Sequence, residues 1–508
     1  WEALYKDRAA YRAEKERIAE MLAGVLERRF PGISGQVEMR DVATPMTWVR
    51  YTANWKASYE GWMMSMDTFG MRMSKTLPGL KDFFMVGQWV EPGGGLPTAI
   101  MSGKVDLLSP FARYRLRNIA LQGTIRTLGM GGVSSGIRSN TTLNFLTPAS
   151  YSAIDTASFI FDFALDIAGV KLEDSENTYY SSNMNFRHIL LGFPIMKGWG
   201  FSTGLLPFTN AYYTMVQRST IDGGSGDDED VFEQHKGIGG YQKFYMGTAF
   251  SPVKYFSAGI NMFIVFGEIN RYNDFIFLAD NNYFNTRKME NQLLNGISYE
   301  LSGQFMLPLQ GNRSVNFGIT YAPEYNLKTK YDDIVLRYSN LQSSSLAFDT
   351  LYYEQPDTTS ILPRTLRGGI SFNKFEKFTF AADIEYTAWS GASLPGSYGT
   401  YTNALAIHAG AEYIPDKYSN YSFFNRIEYR IGGRYGESYS LYDGVQVKEY
   451  GITFGAGIPM RRSRSRASFF VDLSTKGSVE ETYFRETRIA VGVSLSLYDF
   501  WFLKAKYE

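Results

Sequence analysis

The chain has 508 residues, with 51 Lys and Arg balanced by 51 Asp and Glu, and no cysteine. That balance removes the electrostatic case for a nucleic-acid partner, and the lack of Cys excludes disulfides and thiolate metal sites. No run of about 18 apolar residues marks a transmembrane helix, but this leaves a membrane barrel open, because half of each barrel strand faces a polar lumen. The load of 37 Phe, 36 Tyr and 49 Gly suits many strands joined by tight turns. His188, His235 and His408 form no readable ligand cluster, and no Ser-His-Asp or paired-carboxylate constellation stands out. No catalytic or metal residue is therefore assigned, and the chain is not expected to be an enzyme.

Residues 1–104 read as α/β. Glu2 to Arg29 is charge-rich with apolar positions at Leu4, Ile18, Met21, Leu22, Val25 and Leu26, which predicts an amphipathic helix ended by Pro31-Gly32. Short strands are expected at Gln36–Asp41 and Phe83–Val86. A strand, a glycine loop and a helix start follow over Val86–Lys104, where backbone N–H groups suit an anion. The opening Trp1-Glu2-Ala3-Leu4-Tyr5-Lys6 has no apolar core, so no signal peptide is expected there.

Phe30-Pro31-Gly32, Ala43-Thr44-Pro45, Arg50-Tyr51-Thr52, Asn54-Trp55, Gly61-Trp62 and Leu77-Pro78-Gly79-Leu80 fall in order before Pro92-Gly93-Gly94-Gly95-Leu96-Pro97. Together they resemble the C-terminal part of phytoene dehydrogenase-like FAD-dependent oxidoreductases, a cytoplasmic type of protein. The resemblance implies that Gly94, Gly95 and Pro97 are the remnant of an FAD site. The Gly-x-Gly-x-x-Gly strand–turn–helix that anchors the pyrophosphate is absent. Residues 1–104 are thus expected to be a small flavoprotein fragment that binds no FAD, and a desaturase- or isomerase-like activity would be incomplete.

After Lys104 the character changes. Leu108-Ser109-Pro110-Phe111-Ala112-Arg113-Tyr114 resembles the mature N-terminus of a Bacteroidetes-type outer-membrane barrel. A join near 104–108 reads as a gene-prediction, assembly or fusion event rather than a bifunctional protein. Residues 105–153 are rich in Gly, Ser, Thr and Asn, which predicts a junction and a plug inside the barrel, with a disordered leader as the alternative. Gly129, Gly131, Gly132, Asn144 and Pro148 are its marker residues.

From residue 154 the chain alternates with period two. Phe159, Phe161, Phe163, Leu165 and Ile167 share one face, and Ser158, Asp162, Ala164 and Asp166 the other. About 14 such strands follow, an even number as in bacterial barrels. Apolar sets such as Ile260/Met262/Ile264/Phe266 and Ile489/Val491/Val493/Leu495/Leu497 are expected to face lipid, with Asn261, Asp383, Glu385, His408, Glu412, Glu428, Arg430, Asp472 and Arg488 facing inward. Short links are expected at Pro194–Gly198, Ser251–Lys254, Gln310–Arg313 and Asn373–Lys377. Long ones are expected at Gly169–Ser182, Arg218–Lys236, Arg271–Asn291, Leu327–Pro363 and Ser390–Thr402. Their alternation suits short periplasmic turns and long external loops. The predicted fold is mainly β: an antiparallel transmembrane barrel of about 14 strands with an N-terminal hatch, preceded by the α/β fragment.

Three motif groups carry a second resemblance. They are Asn144-Phe145-Leu146-Thr147-Pro148-Ala149-Ser150; Leu362 to Phe372, leading through Asp383 to Thr387-Ala388-Trp389-Ser390; and Arg430-Ile431-Gly432-Gly433-Arg434-Tyr435 followed by Gly455-Ala456-Gly457-Ile458-Pro459. Over about residues 108–508 they resemble the outer-membrane protein transport family of the long-chain fatty-acid transporter (FadL-like) type, although Thr147 stands where that family has Asn. The resemblance implies a monomer in the bacterial outer membrane that takes up fatty acids or aromatic hydrocarbons and releases them sideways to lipid through a kinked third strand. Gly204 and Pro207, in the middle of Trp199–Tyr213, are the candidate lateral gate, with a bulge of no transport role as the alternative. Phe145, Phe263 and Phe470 are the ligand-path candidates. A structural or secretion-linked barrel without a substrate is the competing function.

Overall fold

The computed structural model describes residues 2–37, 39–52, 54, 58, 118–119, 121–222, 228–277, 284–338, 349–374, 376–393, 395, 401–442, 444–460 and 463–500. The chain divides into two compact units, Trp1–Lys104 and Val105–Glu508.

In the first unit the expected long helix is two helices, Glu2–Lys6 and Arg8–Arg29. Asp7 separates them, and its carboxylate accepts from the Ala9 and Ala10 N–H groups at 3.0 and 3.1 Å, a side-chain N-cap. The longer helix stops at Arg29, and Gly32 adopts φ +90° just beyond it. The strand expected at Gln36–Asp41 does not form. A 3-10 turn runs over Ile33–Gln36, and the chain then lies along the helix, held by the Lys15–Asp41 pair (2.8 Å) and by Arg40–Glu16. Ion pairs to a helix replace the partner strand that a ladder would need. A further helix spans Pro45–Thr52, where Thr44 meets the buried Tyr11 hydroxyl at 2.5 Å. The strand expected at Phe83–Val86 and the residues Gly94, Gly95 and Pro97 lie outside the described residues.

The second unit is a closed antiparallel barrel of 14 strands. They are β1 (Ser158–Glu173), β2 (Thr178–Met196), β3 in two pieces (Trp199–Pro207 and Tyr213–Asp222), β4 (Asp228–Val253), β5 (Phe256–Phe277) and β6 (Asn285–Leu309). Next come β7 (Arg313–Ala322 and Tyr325–Tyr338) and β8 (Asp349–Glu354, Asp357–Leu362 and Thr365–Lys374). The rest are β9 (Phe378–Thr387), β10 (Ala404–Tyr413), β11 (Glu428–Tyr442), β12 (Val445–Pro459), β13 (Arg466–Lys476) and β14 (Arg485–Phe500). β14 closes on β1 in continuous register from Ser158↔Phe500 to Glu173↔Arg485. Closure pairs the last strand with the first, as a wall in lipid requires. The expected alternation holds: Ile489, Val491, Val493, Leu495 and Leu497 are exposed on the outside, while Asp162, Asp166, Asp383, His408, Glu412, Glu428, Arg430 and Asp472 are buried in the lumen. Among the described residues no helix is long and apolar enough to cross a membrane.

The short links form as tight turns, such as Lys197–Gly198 and Lys254–Tyr255, and Gly311 and Asn312 supply positive φ for the β6–β7 turn. Most of the long links do not form as loops. β4 has 26 residues and β6 has 25, where about 10 suffice to span a bilayer. The ladder carries on through Tyr213↔Gly237 to Asp222↔Asp228, and β1 and β2 are joined by residues 174–177 alone. Beyond the lipid the apolar alternation ends, but backbone pairing does not need it. Cross-strand pairs take over: Arg287–Asp274 at 2.5 Å, Lys288–Asp333 at 3.2 Å and Arg271–Glu290 at 3.5 Å. The segment Ala388–Asn403 does remain a connection between β9 and β10.

The division of the wall into a lipid-facing band and an external extension is testable. Val493→Arg places a cation in the band and is expected to cost roughly 2–4 kcal/mol of folding stability. Leu351→Arg, on the extension, is expected to be near neutral. Urea titration in lipid vesicles, read by the gel mobility of the folded barrel, measures both.

Candidate functional site

The segment expected to be a plug lies inside the wall. The short helix Ile125–Leu128 begins at Thr124, and a 3-10 turn over Pro148–Ala153 leads into β1. Between them the backbone has few ladder partners of its own, so side chains of the wall satisfy it. Asp383 Oδ2 accepts from Ser134 N (2.6 Å), Ser135 N (2.8 Å), Ser135 Oγ (3.0 Å) and Ser134 Oγ (3.2 Å). Gly131 N donates to Thr453 Oγ1 at 2.8 Å, and Gly131 O lies 2.7 Å from His408 Nδ1. Gln304 donates to Ser135 O, Ser371 to Gly136 O, and Asn261 to Phe145 O, each at 2.7–2.8 Å. Arg126 forks onto Glu412 at 3.0 and 2.7 Å, and Glu412 also accepts from Arg430 at 2.7 Å. Such forked, charge-assisted contacts fix orientation as well as position.

The marker glycines sit where this docking needs them. Gly131 and Gly132 have φ +75° and +94°, which turns the segment under His408. Gly129 packs on Gly455 of the wall. The wall answers with glycines of its own: a Cβ at Gly318 would overlap the Ser135 carbonyl, and one at Gly410 or Gly432 would overlap Met130. Asn144 ties the segment to itself, donating to Ser134 O at 2.8 Å and Ile137 O at 3.2 Å, and Pro148 opens the final turn. Over residues 121–153 the segment is therefore a largely buried element held to the wall.

The three candidate path phenylalanines are all buried, but they do not meet. Phe145 and Phe263 flank Tyr245, with centroids 6.2 and 5.9 Å from it, in a cluster that includes Leu206, Phe208 and Val265. Phe470 lies in a separate cluster with Ile125, Leu128 and Ala164, beneath the Arg187 guanidinium at 5.9 Å.

Gly204 is regular, opposite Leu190 on β2 and Tyr245 on β4, and the irregularity belongs to Pro207. The β2–β3 ladder ends at Ile189↔Leu205. Phe208 N donates to Tyr241 O of β4, so the preceding N position points to β2, and there Pro207 has no hydrogen to give. Thr209–Asn210 pair with Asn118–Ile119 while Ala211 N donates to Gly239 O of β4 at 3.0 Å, and the regular β4 ladder resumes at Tyr213↔Gly237. β2 is irregular at the same level. A bulge opposite Ala164 and Leu165 turns both Arg187 and His188 into the lumen. Among the described residues no ladder joins Thr178–His188 to Tyr213–Asp222. The strap before the hatch crosses this seam, with Arg187 donating to Leu121 O at 2.6 Å and Gln122 to Pro207 O at 3.0 Å. Lys243 places its ammonium 3.9 Å from the Phe208 ring centroid and 5.2 Å from that of Phe263.

Arg187, His188, Gln122, Lys243 and Tyr245 were not marked by the sequence. A bulge shifts phase without any composition signal, so two adjacent inward residues such as Arg187 and His188 cannot be read from alternation. Only Pro207 is legible. Among the described residues no group of three His, Asp or Glu side chains is placed to hold a metal ion.

A closed 14-stranded wall with an apolar exterior, an internal hatch and a broken third strand defines a hatch-filled outer-membrane β-barrel. Residues 97–508 match the model of the BamG family, and the chain belongs to that family. No curated protein matches the chain. Among solved structures it is similar to the CymD monoaromatic hydrocarbon channel, at 12% identity and a TM-score of 0.48, covering 75% of this chain and 98% of that one. It is similar to the Ralstonia pickettii toluene transporter TbuX at 12% identity and 0.48, covering 74% and 99%. A Pseudomonas aeruginosa FadL homologue gives 13% identity and 0.47, covering 76% and 100%. The family match begins ahead of the expected join at 104–108 and takes in Pro97. The flavoprotein resemblance of residues 1–104 finds no support.

Asp383→Ala leaves four hatch donors without their acceptor and is expected to weaken docking by roughly 3 kcal/mol, from the cost of unsatisfied buried groups. The hatch of that variant is expected to become cleavable by protease between residues 129 and 150 in an otherwise intact barrel, and mass spectrometry of the fragments checks it.

Proposed function

We propose that the chain is a passive uptake channel for hydrophobic small molecules, of the FadL-like type, releasing fatty acids or aromatic hydrocarbons sideways through its wall. The observation that carries this reading is the end of the β2–β3 ladder at Ile189↔Leu205, next to an apolar cluster inside the barrel. An apolar solute gains about 25 cal/mol for each Å² that it removes from water. A path from Phe145, Tyr245 and Phe263, past Phe208, to the seam keeps it dry up to the lipid. A straight axial path meets the hatch and the Arg126–Glu412–Arg430 network, which suit no apolar solute. On this reading Pro207 keeps the seam open, and the strap held by Arg187 and Gln122 is the element that moves when a molecule passes.

A structural or secretion-linked barrel without a substrate is the alternative, favoured by how firmly Asp383 and Glu412 pin the hatch. Uptake of a labelled fatty acid or toluene into proteoliposomes separates the two, and a rate equal to that of empty liposomes rejects the channel. Pro207→Ala restores one ladder donor, worth roughly 1 kcal/mol. It is expected to slow uptake about fivefold, the factor equivalent to that energy.

A further inference from the structure

Most connections on the short-turn side are two or three residues, but β10 and β11 are joined by residues 414–427 on that side. This connection is built, not loose. Asp416 N donates to Asn425 O at 2.8 Å and closes its neck. The Asp416 carboxylate accepts from Tyr418 N at 3.1 Å, and Ser419 is buried beneath the crest. Lys417 Nζ and Tyr418 Oη reach across to Glu376 of the β8–β9 turn, at 3.0 and 2.5 Å. Burial alone would raise the Glu376 carboxyl, but the Tyr418 hydroxyl and the Lys417 ammonium hold it below the usual carboxylate range.

The crest of this ordered loop is aromatic. Tyr421 is fully exposed, Phe424 and Tyr418 are 69% and 68% exposed, and Phe423 is exposed as well. The arrangement continues a surface already assigned to lipid. Tyr429, on the outward face of β11, donates its hydroxyl to Phe424 O at 3.1 Å, so the loop turns back beneath the outer face of the wall. Above it on that face, Tyr413 and Phe378 are register partners, and Phe378 packs on Phe372 and Phe380 with centroids 6.1 and 5.4 Å apart. Cations are interleaved: Lys374 lies 5.7 Å over Phe378, Arg426 5.8 Å over Phe423, and Lys417 5.7 Å over Tyr418. Aromatic rings with Lys and Arg among them match the headgroup region, where one side of a ring is apolar and the other wet and where anionic lipids attract cations.

We infer that residues 414–427 form a membrane foot, an ordered loop that seats Tyr418, Tyr421, Phe423 and Phe424 in the headgroup layer of the periplasmic leaflet. A protein partner docked in the periplasm is the other possible occupant. Continuity with the lipid-facing band, and the turn of Phe424 back towards Tyr429, favour lipid.

The absence of Cys makes the test direct. Tyr421→Cys and Phe424→Cys, each in the full chain, are labelled with an environment-sensitive fluorophore and reconstituted into phosphatidylethanolamine–phosphatidylglycerol vesicles. Glu176→Cys, on the exposed β1–β2 turn at the opposite end, is the water-facing reference. Nitroxide lipids labelled near the headgroup are expected to quench both loop sites, with blue-shifted emission and little quenching by aqueous iodide. The inference is overturned if the loop sites behave as Glu176→Cys does. It is overturned equally if they are shielded in native membranes but open to iodide in pure lipid vesicles, since a protein would then be the occupant.

Discussion

The structure depends on a backbone that has no sheet of its own. From Gly129 to Pro148 the hatch runs through the barrel with its peptide groups turned to the wall, and every one of those groups must find a partner. The wall meets the demand with Asp383, His408, Thr453, Gln304, Ser371 and Asn261, each on a different strand or a different level. Contact this close is possible only where the facing wall residues lack a Cβ. Gly318, Gly410 and Gly432 are thus parts of the hatch site although they lie far from it in sequence. Glycine weakens a strand when nothing else changes. Here the hydrogen bonds gained across the gap offset that weakness.

The charges of the lumen follow from the same geometry. An isolated ion is costly in a barrel interior, and a pair is tolerable only with further hydrogen bonds. The inward groups accordingly form chains. Arg434 bridges Glu449 and Asp472, and Arg488 joins Asp472 to Asp166, which also meets Arg187. These chains link β1, β2, β11, β12, β13 and β14 through side chains as well as ladders. The apolar cluster of Phe145, Tyr245 and Phe263 reaches three of the same strands through Ile160, Leu190 and Tyr498. Charge and apolar side chains therefore interleave in the lumen, with the Lys243 ammonium beside Phe208 and Phe263.

Much of the wall was legible because lipid imposes a two-residue period on it. The outward sets at Ile260–Phe266 and Ile489–Leu497 could be read residue by residue for that reason. Where lipid ends, the signal ends, and residues 271–291 and 327–363 read as loops although pairing continues through much of both. The error has one cause: apolar alternation reports what a strand faces, not whether its backbone is paired. The hatch was legible from its glycines and from Asn144 and Pro148. Its partners were not, since nothing in the neighbourhood of Asp383 or Gly318 announces a contact some 180 to 250 residues away. Phe470 shows the remaining limit: phase places a side chain inside, but not in which of two clusters. In the first unit, the Gln36–Asp41 segment has strand character in sequence, yet Gln36 closes a 3-10 turn, and Arg40 and Asp41 are held by ion pairs to a helix rather than by a ladder.

The seam beside Pro207 and the hatch cannot be treated as independent features. Proline removes the donor that would face β2, and the chain that follows stays on β4 through the Phe208 and Ala211 N–H groups while the ladder to β2 has ended. At membrane depth the backbone of Thr209 and Asn210 still has to be satisfied. It finds its partner in Asn118–Ile119, the strap that leads into the hatch, and the same strap is gripped by Arg187 on one side of the seam and through Gln122 on the other. A bulge in β2 is what turns Arg187 inward to make that grip. Break, bulge and strap thus form one hydrogen-bonded unit, in which each irregularity supplies the partner that another leaves wanting. Straightening β3 would leave the strap without its ribbon, and removing the strap would leave Thr209 and Asn210 unpaired. The wall and the segment inside it are consequently coupled at a place where the ladder between neighbouring strands is interrupted.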